Sequence, residues 1–254
     1  MNAESPAPPP LSADVALFLD FDGTLVDLAP RPSDVHIPPS VGARLQQVAW
    51  LLNGALAVVS GRPIAVIDAF LGGAVQCAAG LHGAERRNAL GHIHKTHRGI
   101  EMLDSFRGIL GAFVAAHPAV LMEDKGASIA LHFRAEPALG DVCRQAVDEC
   151  ITASHGVFER LDGKMVAELK PAGITKVSAL EAYMNEAPFA GRRPVFIGDD
   201  ITDEVAFVHV SKTNGFGVKV GAGGPTAAAM RLPSVAALHD WLKDFCDHSD
   251  AHAR

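Results

Sequence analysis

The sequence predicts an α/β fold, a doubly wound parallel sheet interrupted by a smaller open-faced α/β domain. Three observations carry this. Short, continuously apolar runs recur along both ends of the chain, the pattern of strands buried on both faces. Helical stretches separate them, as crossover connections in a parallel sheet require. Between residues 87 and 170 the pattern changes to alternating strands with two amphipathic helices.

Element by element, Val15-Ala16-Leu17-Phe18-Leu19 is the first buried strand and is closed by Asp20. Residues 41–52 read as a helix, 56–59 as the second strand, 63–71 as a helix and 75–79 as the third strand. The fourth and fifth strands fall at 194–197 and 216–220. In the central block, Leu103, Phe106, Leu110 and Phe113 form one helical stripe, and Cys143, Ala146, Val147 and Cys150 form a second. Strands are expected at 119–123, 127–134, 156–161 and 164–170, in the order α-β-β-α-β-β. The alternation of Ile129, Leu131 and Phe133 with Ser128, His132 and Arg134 marks a sheet covered on one face. The predicted organisation is therefore a Pro-rich floppy arm at 1–14, a core formed by 15–86 with 171–254, and an inserted domain at 87–170.

Lys and Arg number 22 against 29 Asp and Glu, a net charge of −7. Without a basic run, this balance argues against nucleic acid or an anionic membrane as a partner. The first residues lack the basic-then-apolar pattern of a signal peptide, and no apolar stretch is long enough to span a membrane. Cys77, Cys143, Cys150 and Cys246 form no CxxC pair, which fits a reduced, cytoplasmic setting. His92, His94 and His97 lie in a polar stretch without a neighbouring Cys or Asp and read as an exposed loop rather than a zinc site.

Polar clusters close three of the apolar runs: Asp20-Phe21-Asp22-Gly23-Thr24, Ser60-Gly61-Arg62 and Gly198-Asp199-Asp200, with Asp203 one helical turn on. Ligands of open parallel sheets bind at the carboxyl ends of the strands, so these clusters converge there. Two carboxylates one residue apart cannot both face a phosphate without a cation between them. The donor set favours Mg²⁺, which prefers oxygen ligands. Asp200, Asp203 and Glu204 would also suit the N-terminus of a helix as capping residues.

In this order the clusters, with Lys176 opening the helix before the fourth strand, resemble the four motifs of the haloacid dehalogenase superfamily, whose core is Rossmann-like. Further segments are similar to the trehalose 6-phosphate phosphatases of the bacterial, stand-alone kind. They are the six residues from Leu25 to Pro30, Val59-Ser60-Gly61-Arg62-Pro63, and the stretch from Gly80 through His82 to Glu85. Glu123-Asp124-Lys125-Gly126, Glu168-Leu169-Lys170-Pro171 and the stretch from Gly198 to Glu204 complete the set. The first and last motifs are shared across the superfamily, and the middle ones point to the sugar.

The resemblance implies hydrolysis of a small-molecule sugar phosphate. Asp20 would be the nucleophile forming an aspartyl phosphate, and Asp22 the acid and then the base, a neighbouring anion helping it to hold its proton. Mg²⁺ would bind the Asp20 side chain, the Asp22 main-chain carbonyl and Asp199, with Asp203 as a further ligand or an orienting group. Thr24, Ser60 and Lys176 would neutralise charge on the phosphoryl oxygens. Lys170 competes with Lys176 for that role, and the position of Lys176 at a helix start favours it. The insert would act as a lid that supplies substrate contacts from Glu123, Asp124, Lys125 and Glu168. Arg62 and His82 are further substrate-binding candidates; Arg62 could instead simply open a helix, and His82 could only pin the linker. His132 and Arg134 fit a solvated sheet face. Related readings are phosphatases for sucrose 6-phosphate or a mannosyl phosphoglycerate, or a sugar phosphomutase.

Overall fold

The computed structural model describes residues 5–29, 34–96 and 99–252, with side chains through residue 248. Pro30 and His97, both named above, lie outside these residues. By internal contacts the chain divides into two units, Met1–His94 with Lys176–Arg254, and Lys95–Thr175.

The first unit holds β1 (Val15–Leu19), β2 (Leu56–Val59), β3 (Cys77–Gly80), β4 (Glu85–Arg87) and β5 (Ile93–Lys95), followed after the insert by β10 (Arg193–Gly198), β11 (Phe216–Val220) and β12 (Met230–Leu232). They form one eight-stranded sheet in the order β12-β11-β10-β1-β2-β3-β4-β5. From β12 to β3 every pairing is parallel, and β4 turns back antiparallel to β3. The helices are α1 (Pro39–Leu51), α2 (Ile64–Leu71), α5 (Lys176–Met184), α6 (Glu204–Lys212) and α7 (Val235–His252). Helix α1 packs on α7 and α5 on α6. β1 sits near the middle of the sheet, and Ala16 to Leu19 are wholly buried, as its unbroken apolar run requires.

The second unit holds α3 (Ile100–Ala116), β6 (Leu121–Asp124), β7 (Ile129–His132), α4 (Gly140–Ala153), β8 (Phe158–Gly163) and β9 (Val166–Pro171). Its antiparallel sheet runs β6-β7-β9-β8. Leu103, Phe106 and Leu110 of α3 and Cys143, Val147 and Cys150 of α4 close one face over Ile129, Leu131, Ala167 and Leu169. The opposite face differs from the expectation of an open, solvated surface: Ser128, Glu168 and Lys170 are buried. These groups pair along the sheet instead of standing out into water, Lys125 with Glu168 and Lys170 with Glu159.

Two further differences have physical causes. The first unit boundary falls at Lys95 rather than at 87, because β4 and β5 extend the large sheet beyond β3, and the second falls at Thr175, past the end of β9. The arm is not floppy from Ser5 onward. Pro6 accepts a hydrogen bond from the Arg231 N–H of edge strand β12 and Pro9 accepts one from Trp241 Nε1, both at 2.9 Å, and Leu11 is buried. Proline lacks an N–H yet keeps a carbonyl, so a Pro-rich strand can cap the unpaired donors of a sheet edge. Deletion of residues 1–11 should therefore destabilise the protein by about 2.5–6 kcal/mol, the sum of one buried leucine and two hydrogen bonds. Chemical denaturation checks it; an unchanged midpoint would mean the strap contributes nothing.

Candidate active site

The parallel register builds the site. Leu19 pairs with Ile197, and the Asp20 N–H donates to the Ile197 carbonyl at 2.9 Å, so Asp20 leaves β1 level with Gly198 and beside Asp199. Lys176, the first residue of α5, reaches between the strands' ends. Its Nζ lies 2.9 Å from Asp20 Oδ1 and 2.6 Å from Asp203 Oδ1, and all three side chains are buried. The second oxygen of Asp203 accepts from the backbone N–H groups of Asp199 and Asp200, each at 3.0 Å. Asp203 is thus a fixed post for the turn after β10, and its contact with Lys176 makes it an orienting group first. Gly198 leaves it room: a Cβ there would stand 2.4 Å from the Asp203 carboxyl carbon.

Asp199 points back across the first motif. Thr24 Oγ1 donates to Asp199 Oδ1 at 3.2 Å, so the Thr24 hydroxyl, expected at the phosphate, orients a carboxylate. Gly23 is required twice over. Its φ of +75° is left-handed, and a Cβ would lie 2.1 Å from Asp199 Oδ2. Beside Asp199, a cleft of about 1140 Å³ is lined by Asp200, Lys219, the loop from Gly221 to Thr226 and Arg231. Glu204 pins that loop through Thr226 Oγ1 at 2.9 Å and the Ala227 N–H at 2.7 Å, which makes it structural.

One oxygen from each of Asp20, Asp199 and Asp203 can come within 4.8 Å of the others, a spacing that suits a metal ion. The electrostatics agree. Burial, with Asp203 and Asp199 adding to it, pushes the Asp20 carboxyl well above its ordinary range despite the lysine. Burial and the charges of Asp203 and Asp200 push Asp199 up to about 7. Burial works against the charge of Lys176, but Asp20 and Asp203 outweigh it and hold the ammonium above its ordinary value. One lysine leaves the cluster short of positive charge. Hard carboxylate oxygens so placed fit a hard divalent cation.

Asp22 faces a different partner. Both of its carboxylate oxygens accept from Arg62, at 2.6 Å from Nε and 2.6 Å from NH2, so its side chain is turned to an arginine rather than left beside the Asp20 charge. Only its main-chain carbonyl remains a candidate donor to a metal. Ser60, buried at the end of β2, accepts from the Arg62 N–H at 3.1 Å. The spacing of residues gave no sign of the Asp22–Arg62 pair, since 40 positions separate them. His82 adopts a left-handed conformation in the turn after β3, and its N–H donates to the Ser60 carbonyl at 2.9 Å.

Within the second unit, register aligns a row of polar groups. Glu123 of β6 pairs with Ala130 of β7, and Ala130 with Glu168 of β9, so all three share one level across the sheet. Glu168 accepts from Lys125 Nζ and Ser128 Oγ, each at 2.7 Å. Glu123 accepts from His132 Nε2 at 2.8 Å, and that bond holds its carboxyl below the usual range. His132, expected to be merely solvated, is therefore a partner of the row. Asp124 does not join it: Arg107 Nε at 2.6 Å and the Gly126 N–H at 2.8 Å fix it in the hairpin. Lys170 is bound to Glu159 and to the Ile174 carbonyl, which leaves Lys176 as the lysine on Asp20.

A wound parallel sheet with a buried aspartate closing its first strand, and with a lysine and further aspartates around it, defines a hydrolase of the haloacid dehalogenase fold. The likeness to a haloacid dehalogenase-like hydrolase from Bacteroides thetaiotaomicron is at the level of fold, with a TM-score of 0.65 and 16% identity over 91% of this chain and 98% of that one. Residues 18–236 match the trehalose-phosphatase family, and the chain belongs to that family. It is 39% identical over 235 residues to the trehalose-6-phosphate phosphatase of Escherichia coli strain K12, covering 92% of this chain and 88% of that protein. The C-terminal domain of the Candida albicans trehalose-6-phosphate phosphatase superposes with a TM-score of 0.80 at 18% identity, over 97% and 99% of the two chains. The chain is accordingly a phosphatase.

Replacing Lys176 by Met leaves Asp20 and Asp203 buried without their cation. The expected loss of stability is about 3–5 kcal/mol, read from chemical denaturation. Gly23→Ala should abolish turnover while leaving far-ultraviolet circular dichroism unchanged, because its Cβ displaces Asp199; near-normal activity would show that Asp199 is not needed where it stands.

Proposed function

We propose that the chain hydrolyses trehalose 6-phosphate to trehalose and phosphate through an aspartyl phosphate on Asp20. The observation that carries this reading is a buried Asp20 held 2.9 Å from Lys176 among carboxylates that lack compensating charge. Family membership supports the substrate class, and the site supports the chemistry.

In the first step an Asp20 oxygen attacks phosphorus in line as the bond to the sugar oxygen breaks, and Asp22 supplies the proton to the departing oxygen. In the second, water attacks the aspartyl phosphate and Asp22 takes its proton. Lys176 fixes the attacking carboxylate and offsets charge on the transferring group. Asp203 holds Lys176 and the turn carrying Asp199, and Thr24 aims Asp199. Asp20, Asp199 and the Asp22 main-chain carbonyl would hold Mg²⁺, which when bound supplies the missing positive charge and keeps Asp20 ionised.

Sugar recognition falls to the second unit. Glu123 and Glu168, at one level of the sheet, offer two acceptors, and Lys125, whose Nζ reaches Glu168 from the hairpin, offers a donor, a set matched to sugar hydroxyls. A site whose polar groups must be paired rejects ligands that leave them unmatched. The cytoplasm is the compartment that four buried cysteine thiols favour.

Phosphate release from a panel of sugar phosphates, with and without EDTA, tests the reading. Trehalose 6-phosphate should be preferred over sucrose 6-phosphate and glucose 6-phosphate, and chelation should abolish turnover until Mg²⁺ is restored. Asp20→Asn should lose about a thousandfold or more of kcat; activity surviving in that variant would overturn the mechanism. Glu168→Ala should depress kcat/KM for trehalose 6-phosphate by about tenfold or more beyond its effect on p-nitrophenyl phosphate. Equal losses on both substrates would remove Glu168 from sugar recognition.

A further inference from the structure

The two carboxylates at one level of the second unit's sheet differ in how they are bonded. Glu168 has both oxygens taken: Oε1 accepts from Ser128 Oγ and Oε2 from Lys125 Nζ, each at 2.7 Å. Glu123 is held on one side only. Its Oε2 accepts from His132 Nε2 at 2.8 Å, and among the described residues its Oε1 has no hydrogen-bond partner. We propose that His132 is a positioning residue for sugar recognition, holding one oxygen of Glu123 so that the other is presented to a sugar hydroxyl. The inference rests on the reading above that the second unit recognises the sugar.

The register of the sheet builds this pair. Ile129 and Leu131 of β7 belong to the core of the unit, so the period of two along a strand puts Ser128, Ala130 and His132 on the opposite face. Leu121 of β6 lies opposite His132, and Glu123 opposite Ala130, which makes Glu123 and His132 diagonal neighbours on that face. Diagonal positions on adjacent strands stand about 7–8 Å apart, a gap that long and aromatic side chains can close. On the other side of β7, Val166 of β9 lies opposite His132. Valine offers the ring no hydrogen bond, and among the described residues Glu123 is the one hydrogen-bond partner of the imidazole. The bond is therefore dedicated to Glu123. The Glu123 side chain is 34% exposed against 4% for Glu168, so it is the carboxylate that a ligand can reach without disturbing a pair already made.

The energetic argument concerns order before binding. A glutamate side chain has several rotatable bonds, and a ligand that must itself order such a chain loses binding energy in doing so. The bond from His132 orders Glu123 beforehand. It leaves Oε1 with its acceptor positions open, enough for one or two hydroxyl donors while the pair stays intact. To accept from hydroxyls on both oxygens the group must also be an anion. The same bond, assisted by the charge of Lys125, holds the Glu123 carboxyl below the usual range against its burial and the charge of Glu168. One histidine thus fixes both the direction and the ionised form of the acceptor.

Steady-state kinetics of the Mg²⁺-loaded enzyme on trehalose 6-phosphate and on p-nitrophenyl phosphate tests this, because the second substrate carries no sugar. His132→Leu removes the donor. It should lower kcat/KM for trehalose 6-phosphate about fivefold more than for p-nitrophenyl phosphate, with the difference falling on KM, as the loss of a contact ordered before binding requires. His132→Gln, whose amide can place a donor near the position of Nε2, should recover most of that difference and guards against a folding defect. In Glu123→Ala, adding His132→Leu should change the preference between the substrates by less than about twofold, since residues acting as a unit are not additive. Equal losses on both substrates in His132→Leu would overturn the inference and leave the pair a brace of the sheet. The same further loss in the Glu123→Ala background would also overturn it, by placing His132 itself on the sugar. A Glu123→Ala variant that keeps the full preference for trehalose 6-phosphate would instead overturn the reading of Glu123 on which the inference rests.

Discussion

A buried ammonium between two buried carboxylates organises this protein. Lys176 contacts Asp20 and Asp203, and all three are buried. Ions taken out of water need close partners and further hydrogen bonds. The structure supplies them unevenly. Asp203 is satisfied by Lys176 and two backbone N–H groups, whereas Asp20 has the lysine against the charges of Asp199 and Asp203. The imbalance lies at Asp20, the carboxylate proposed above as the nucleophile. A divalent cation would meet that demand. Asp199, pushed up to about 7 for the same reason, marks the side on which the charge is missing.

The wound sheet is what makes this crowding possible. Parallel strands place their carboxyl ends side by side, so single residues at the ends of β1, β2 and β10 meet without any long loop to order. Small residues then allow close approach at Gly23 and Gly198, where any Cβ would overlap Asp199 or Asp203. The same economy of space recurs around Arg62, where Gly61 and Gly80 admit the turn that clamps its backbone. In the second unit the equivalent device is Ala130, whose small side chain stands between Glu123 and Glu168 on one sheet face.

Much of this was legible in the sequence, and the boundary of legibility is physical. Strands β1, β2 and β11 fall at the expected residues, because a run buried on both faces has no polar position to blur it. Strands β4, β5 and β12 were missed: each has three residues, and Glu85-Arg86-Arg87 is a run that composition assigns to a surface. The strap at Ser5–Leu11 was missed because proline content reads as disorder until an unpaired sheet edge is found for its carbonyls. Motif spacing singled out Asp20, Asp22, Ser60, Lys176, Asp199 and Asp203, and of these the structure gathers Asp20, Lys176, Asp199 and Asp203. Spacing could not say that Thr24 serves Asp199, that Asp124 serves Arg107, or that Asp22 belongs to Arg62, since partner choice depends on how strands far apart in sequence come side by side. The resemblance to a family supplied roles, and the register supplied partners.

The proposed hydrolysis turns on a covalent bond between Asp20 and phosphorus. Rapid quenching during turnover of trehalose 6-phosphate with Mg²⁺, followed by borohydride reduction and peptide mass spectrometry, reads that bond directly, because an acyl phosphate is reduced to an alcohol whereas a free carboxylate is not. The predicted result is homoserine in place of Asp20 during turnover, and unmodified Asp20 when substrate is omitted. Reduction at another aspartate, or none at any residue while phosphate is being released, would contradict it.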